Sequence, residues 1–182
     1  MGLDMYIMKR PKYGDNDKQR DAIIAFVSWI RKGLNCTFCD WTGGQISTTD
    51  LPDIVSLIQA IEKCPIDYEH GEYIEEEVGY WRKANQIHRW FIENVQCGAD
   101  DCMYHRALTK EDLENLKSVC DEVLANHELA PKLLPTLPGF FFGGTEYDKY
   151  YYEQLVNTSE LCDRLIADTD FNKYELRYIS SW

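Results

Sequence analysis

The stretch EVGYWRKANQIHRWF, residues 77–91, combines large apolar side chains with a histidine, an asparagine and three basic residues. At 100° per residue, its apolar side chains cover about half the circumference of an α-helix. An arc this wide exceeds the apolar stripe of a simple surface helix, so the pattern indicates a helix in the middle of the fold. We therefore predict one central helix from about Tyr73 to Val95.

Two polar side chains interrupt this apolar arc. His88 falls inside the arc, and Asn85 falls near its edge. Because burying an unpaired imidazole or amide costs about 1–3 kcal/mol, both side chains need hydrogen-bond partners. Two interpretations stay open: the pair fixes the register of neighbouring elements, or the edge of the arc lines a cleft. In the second case an aromatic, anionic ligand would bind to Trp81, Arg82, Asn85, His88 and Arg89.

Cysteines and acidic residues provide only weak candidates for a metal site. Cys36 and Cys39 have the CxxC spacing of zinc ligands or of a redox pair, but no second pair follows at a standard interval. Asp100, Asp101 and His105 offer ligands for a hard cation without the regular spacing of a calcium loop. We therefore expect reduced thiols, no cofactor and no assigned metal or catalytic residue.

Alternating apolar residues indicate a strand at each end of the chain. LDMYIM, residues 3–8, places Leu3, Met5 and Ile7 on one face. The C-terminal ELRYISSW alternates in the same way, and it is expected to pair with the N-terminal strand or to lie beside residues 140–142. A lone strand would leave its backbone groups without hydrogen bonds.

Capping-box spacings mark two helix starts in the second half of the chain. Thr109 and Asp112 precede one amphipathic run, and Thr145 and Asp148 precede the last long one. Two further helical patterns lie before residue 66. The predicted fold is α+β and predominantly α, with about five helices packed on a small antiparallel sheet formed by the chain termini. We expect a single globular domain, residues 1–182.

The charge and hydropathy of the chain restrict its partners. A formal net charge of −12 disfavours direct attraction to nucleic acid or to an anionic membrane. No apolar run approaches the roughly 18 residues of a membrane span. The start, MGLDMYIMKR, lacks the basic and then apolar order of a secretory signal, so we expect a cytoplasmic protein.

Several motifs together carry a family resemblance. They are MGLDMYIMKR at the start, EVGYWRKANQIHRWFIENVQ with DDC soon after, LLPTLPGFFFGGTEYDKYYYEQL, and the terminal YISSW. The chain resembles a family of small uncharacterised proteins from bacteriophages, prophages and bacteria, whereas residues 11–66 match no pattern of that family. The resemblance implies no activity, and it favours an accessory protein of a mobile element over a metabolic enzyme.

These observations favour a phage-related, non-enzymatic binding protein that acts through a protein partner or a small anionic ligand. One alternative is an enzyme acting on a nucleotide or phosphorylated metabolite, with His88 and Asp100 or Asp101 as acid–base or metal groups. A further alternative is an acidic mimic of nucleic acid that inhibits a basic host protein.

Overall fold

The computed structural model of the chain describes residues 2–12 and 76–182. The helical patterns predicted before residue 66 lie outside the described residues. In chain order the strands and helices are β1 (Asp4–Pro11), β2 (Glu76–Arg82), α1 (Asn85–Asn94), β3 (Ala107–Leu108), α2 (Lys110–Ala125), α3 (Ala130–Leu133), α4 (Lys149–Asp168) and β4 (Tyr174–Ser181). A 3₁₀ turn at His127–Leu129 lies between α2 and α3.

The described strands form a four-stranded antiparallel sheet in the order β2-β1-β4-β3. The prediction of a sheet made only of the chain termini is wrong, because the termini supply β1 and β4 while internal segments supply β2 and β3. Among the described residues, helices account for 45% and strands for 21%. The fold is therefore mixed rather than predominantly α, with four helices in this part of the chain instead of the five predicted for the whole.

The predicted helix from Tyr73 to Val95 is also wrong in its first half. Residues 76–82 form β2, and the helix begins only at Asn85. Trp81 is buried between exposed neighbours at positions 80 and 82, which is the period of two of a strand. Lys83 then adopts a left-handed backbone conformation with φ of 56°, and this turn separates the strand from α1.

The predicted alternation at the two chain ends is confirmed. Leu3, just before β1, and Met5 and Ile7 within it are fully buried. Strand β4 lies next to β1 in the sheet and buries Leu176 and Tyr178 in the same core. Strands β1 and β4 are the two inner strands of the sheet, so each has a neighbour on both sides with which its backbone N–H and C=O groups can pair.

The helix start predicted at Thr109 is confirmed in detail. The Thr109 hydroxyl accepts from the backbone N–H of Asp112 at 3.0 Å, and the Asp112 carboxylate accepts from the backbone N–H of Thr109 at 2.8 Å. The last helix is confirmed as well, but its N-cap is Asp148, which accepts from the N–H of Tyr151 at 3.0 Å. The capping box predicted from Thr145 therefore lies one turn too early.

Helices α1 and α4 pack on the sheet and set the position of the polar residues. The Phe91 ring of α1 stacks on Tyr178 of β4 at 3.9 Å, almost parallel to it. On α4, Leu161 approaches β2 so closely that a Cβ added at Gly79 would lie 2.8 Å from its Cδ2. The buried residues of the sheet and the helices form one continuous hydrophobic core.

Contacts group residues 1–9 with 77–182 into one compact unit and residues 10–76 into another. The second unit lies almost wholly outside the described residues, so the single-domain assignment stays a prediction. Within residues 2–12 and 76–182, no helix is both long enough and apolar enough to span a membrane. A cytoplasmic location stays a prediction.

Candidate functional site

His88 of α1 bridges two other elements of the fold. Its Nδ1 lies 2.7 Å from the hydroxyl of Tyr178 on β4. Its Nε2 lies 3.0 Å from Oδ1 of Asp100, in the loop that follows α1. The imidazole and the tyrosine are buried in the core, whereas the Asp100 side chain is 38% exposed. The carboxylate of Asp100 is therefore the one end of this chain of contacts that reaches solvent.

The partners of His88 assign its proton. A carboxylate only accepts hydrogen bonds, so Nε2 carries the hydrogen and donates it to Asp100. Nδ1 then accepts from the Tyr178 hydroxyl. Burial lowers the pKa of His88, although the hydrogen bond and the charge of Asp100 oppose this effect. Burial also raises the pKa of Tyr178 well above its ordinary value, which keeps the phenol protonated as a donor.

Asn85 joins α1 to the segment that precedes α4. Its Nδ2 donates to the carbonyls of Phe142 at 3.1 Å and Gly144 at 2.8 Å. Its Oδ1 accepts from the backbone N–H of Leu137 at 3.0 Å. The buried amide therefore uses both of its donor hydrogens and its acceptor inside the protein, which matches the register-fixing interpretation of the sequence.

The other three residues of the predicted ligand site do not form a common wall with these two. Trp81 is buried, and its Nε1 donates to the hydroxyl of Thr158 on α4 at 2.8 Å. Arg89 pairs with Glu93 one turn further along α1, at 2.8 Å between Nε and Oε1. Arg82 lies exposed at the end of β2. The structure thus turns three of the five side chains inward and leaves the two arginines at the surface.

The space next to Asn85 is too small for a nucleotide. Asn85, Lys83 and Tyr150 contribute to the lining of a cavity of about 50 Å³. Pockets for small organic ligands in proteins have volumes of about 300–1,000 Å³. A water-sized guest fits this cavity, whereas an aromatic anionic ligand does not fit without movement of the surrounding segments.

The candidate metal ligands that the structure describes, Asp100, Asp101 and His105, are each paired with a neighbour. Asp100 contacts His88, and Asp101 Oδ1 contacts Nε2 of His105 at 2.9 Å and the N–H of Met103 at 2.9 Å. The imidazole of His105 and the N–H of Met103 lower the pKa of Asp101. In residues 2–12 and 76–182 no group of three or more His, Cys, Asp or Glu side chains is placed to hold a metal ion. Cys36 and Cys39 lie outside the described residues.

Residues 139–144, in the connection between α3 and α4, form an aromatic segment. The Phe142 ring is buried and meets the rings of His88 at 5.3 Å and Trp182 at 5.8 Å, both edge to face. The carbonyl of Phe141 accepts from the N–H of Leu3 at 3.0 Å. The segment is thus tied to α1, to the N-terminal strand and to the C-terminus of the chain.

Phe140, in the middle of this tied segment, is 95% exposed. Its ring contacts Phe141 edge to face at 4.8 Å. Trp182, whose ring meets Phe142, is 45% exposed. We refer to Phe140 and Phe141 as the aromatic surface.

Sequence reasoning missed the partners of the predicted residues. Tyr178 is 90 positions from His88, and Phe142 is 57 positions from Asn85. The alternation of ELRYISSW assigns Tyr178 to a strand face, but it does not identify the helix residue opposite it. The exposed Phe140 was detectable only as part of an apolar run, which on its own predicts burial.

Comparison of the chain with protein-family models, with curated proteins and with solved structures finds no match.

Proposed function

We propose that this protein is a non-enzymatic binding protein that engages a protein partner through the aromatic surface. The exposure of Phe140 on a tied segment carries the proposal. A phenylalanine exposed on a mobile loop would lose conformational freedom on binding. The backbone that follows Phe140 is already held by hydrogen bonds at the carbonyls of Phe141, Phe142 and Gly144, so less of this freedom remains to be lost. Aromatic side chains on a preorganised backbone are typical anchors of protein interfaces.

The inward-facing residues support a surface mode of binding over a ligand pocket. Asn85 and Trp81 make their hydrogen bonds to the protein itself, and both nitrogens of His88 have protein partners. A small ligand could reach these groups only by displacing existing contacts. The net charge of −12 disfavours an anionic membrane as the partner of Phe140. The resemblance to phage and prophage proteins supports a host or phage protein in that role.

Capture of partners from the lysate of a bacterial host tests the proposal, with Phe140→Ser as the variant. Fully burying a phenylalanine side chain contributes about 2 kcal/mol, which corresponds to a roughly 30-fold loss of affinity when it is removed. Met103→Ser is the matched control, because Met103 is a large apolar side chain that is 67% exposed on another loop. We expect a specific captured protein to be lost with Phe140→Ser and kept with Met103→Ser. Equal capture by the two variants would refute the proposal.

An enzyme acting on a nucleotide or phosphorylated metabolite is the second candidate, and the contact between His88 and Asp100 favours it. A buried imidazole that orients a partly exposed carboxylate is an arrangement that acid–base enzymes use. Thermal shift against nucleotides, cyclic nucleotides and phosphorylated metabolites separates the candidates. A ligand at 100 times its dissociation constant stabilises the native state by about 2.7 kcal/mol. A ligand-induced rise in melting temperature that is lost in Asp100→Asn and kept in Phe140→Ser would favour the enzyme.

A further inference from the structure

Strand β2 lies at one end of the sheet order β2-β1-β4-β3, so one of its edges has no neighbour among the described strands. The N–H of Lys83, just after β2, donates to the carbonyl of Leu3 at 2.8 Å. In a trans peptide bond the C=O of one residue and the N–H of the next point in opposite directions, so the carbonyl of Arg82 points away from β1. Because backbone groups alternate along a strand, the carbonyls of residues 76, 78 and 80 point to the same open edge.

Two side chains of α4 occupy carbonyls on this open edge. Nη2 of Arg164 donates to the carbonyl of Val78 at 2.8 Å, and the hydroxyl of Tyr150 donates to the carbonyl of Arg82 at 2.5 Å. A strand that paired with β2 would lie about 4.7–4.9 Å away from it. The guanidinium nitrogen of Arg164 already lies within that space, so an added strand would have to displace it.

The sequence of β2, EEVGYWR, is complementary to a second copy of itself. When two β2 strands run antiparallel and are centred on Gly79, Glu76 of each copy lies opposite Arg82 of the other. Val78 then lies opposite Tyr80 in the same way. All of these residues turn their backbone groups to the open edge, so each opposed pair could exchange N–H···O=C hydrogen bonds. Opposite charges that face each other across two strands stabilise the pairing.

The other edge of the sheet is β3, which has only two residues, so β2 is the long edge among the described strands. Long open edges promote pairing between chains, and charged side chains placed at an edge are one way in which proteins prevent it. We infer that Arg164 and Tyr150 guard β2 against pairing with the β2 strand of a second copy. They occupy two carbonyls that the self-paired strand would need, those of Val78 and Arg82. The guard is independent of the aromatic surface.

Sedimentation velocity over a range of protein concentrations tests the guard, with the double variant Arg164→Ala, Tyr150→Ala. Two carbonyls in each copy become available for strand pairing in this variant. We expect it to form a dimer with a dissociation constant at least about tenfold lower than that of the wild-type protein. Arg164→Lys is the matched control, because its ammonium group keeps a positive charge and a donor at the edge. The control should associate no more tightly than the wild-type protein.

Charge reversal tests whether the dimer forms through β2. In the double variant, Arg82→Glu places a glutamate opposite Glu76 of the second copy and should abolish the dimer. Adding Glu76→Arg should restore it. Association as strong in the wild-type protein as in the double variant, or a dimer unaffected by Arg82→Glu, would overturn the guard. If circular dichroism shows that the double variant is unfolded, Arg164→Ala alone decides by the same measurement, because its hydrogen bond lies at the surface.

Discussion

Replacing Asn85 by alanine should detach the aromatic segment from α1. The side chain makes three hydrogen bonds to backbone groups of residues 137–144, and the amide is almost fully buried. Alanine keeps the helix and removes all three bonds. The carbonyl of Phe142 then loses a buried partner, while the groups of Leu137 and Gly144, which lie closer to the surface, can regain water.

The expected loss of stability follows from this count. A typical neutral hydrogen bond contributes about 0.5–1.5 kcal/mol net, and a buried group left without a partner costs about 1–3 kcal/mol. Two bonds at partly buried groups and one at a buried carbonyl therefore sum to about 2–6 kcal/mol. With a urea dependence of about 2 kcal/mol per molar, the unfolding midpoint moves down by about 1–3 M.

Urea unfolding followed by tryptophan fluorescence measures the loss, and hydrogen exchange at the N–H of Leu137 locates it. Asn94→Ala is the matched control, since Asn94 on the same helix donates only to the carbonyl of Trp90, at 2.8 Å, and is exposed. We expect the control to cost less than about 1 kcal/mol. Equal losses for the two variants, or unchanged exchange at Leu137, would refute the reasoning.

Asn85→Asp sharpens the same test through its pH dependence. A carboxylate at this position would face the carbonyls of Phe142 and Gly144, which repel it. The pKa of the new carboxyl group should therefore be higher in the folded than in the unfolded state. The variant is then most stable below about pH 4 and loses stability as the pH rises. Urea midpoints at pH 4 and pH 7, each compared with the wild-type protein, measure the effect.

Four further outcomes follow from the structure. Because burial lowers the pKa of His88, the unfolded state binds more protons than the folded state below about pH 6.5. The free energy of unfolding should therefore decrease as the pH is lowered, by up to about 1.4 kcal/mol per pH unit. His88→Gln should reduce this slope in urea titrations. Trp81→Phe removes the hydrogen bond to Thr158 and part of a buried ring, and should cost about 1–3 kcal/mol by the same assay. Gly143→Ala should cost about 1–3 kcal/mol in unfolding experiments, because the backbone φ is 93° and the new Cβ would lie 3.0 Å from the Cβ of Lys83. Burial raises the pKa of Cys162 to about 12, so peptide mapping after thiol labelling at pH 8 should find this thiol modified only in unfolded protein.

Local patterns predicted those elements whose cause is also local. The capping box at Thr109 and Asp112 formed as predicted, because both hydrogen bonds join residues three positions apart. The alternation of Leu3, Met5 and Ile7 likewise depends only on the strand's own period and on one buried face. For the last helix, the same spacing rule predicted the helix correctly but placed its cap at Thr145, whereas the N-cap is Asp148.

The stretch around Trp81 shows where local patterns fail. Over seven residues, a buried Trp81 between polar neighbours fits a helix and a strand about equally well. Strand β2 forms because β1 lies beside it in the sheet and because Thr158 of α4 accepts the hydrogen bond of the tryptophan. Neither partner is close in sequence, so the competition between the two structures is decided only in the folded chain.

The amino-acid sequence by itself determined the cap at Thr109, the strands of the chain ends, the acidic charge and the need of Asn85 and His88 for partners. Only the tertiary structure decided which residues are the hydrogen-bond partners of Asn85 and His88. Tyr178 and Phe142 lie 90 and 57 positions away from the residues they satisfy, and Phe140 is exposed next to a residue, Phe141, that is hydrogen-bonded to Leu3. A polar group's requirement for a hydrogen bond is a property of its chemistry, whereas its partner depends on which distant segments the closing sheet brings into reach.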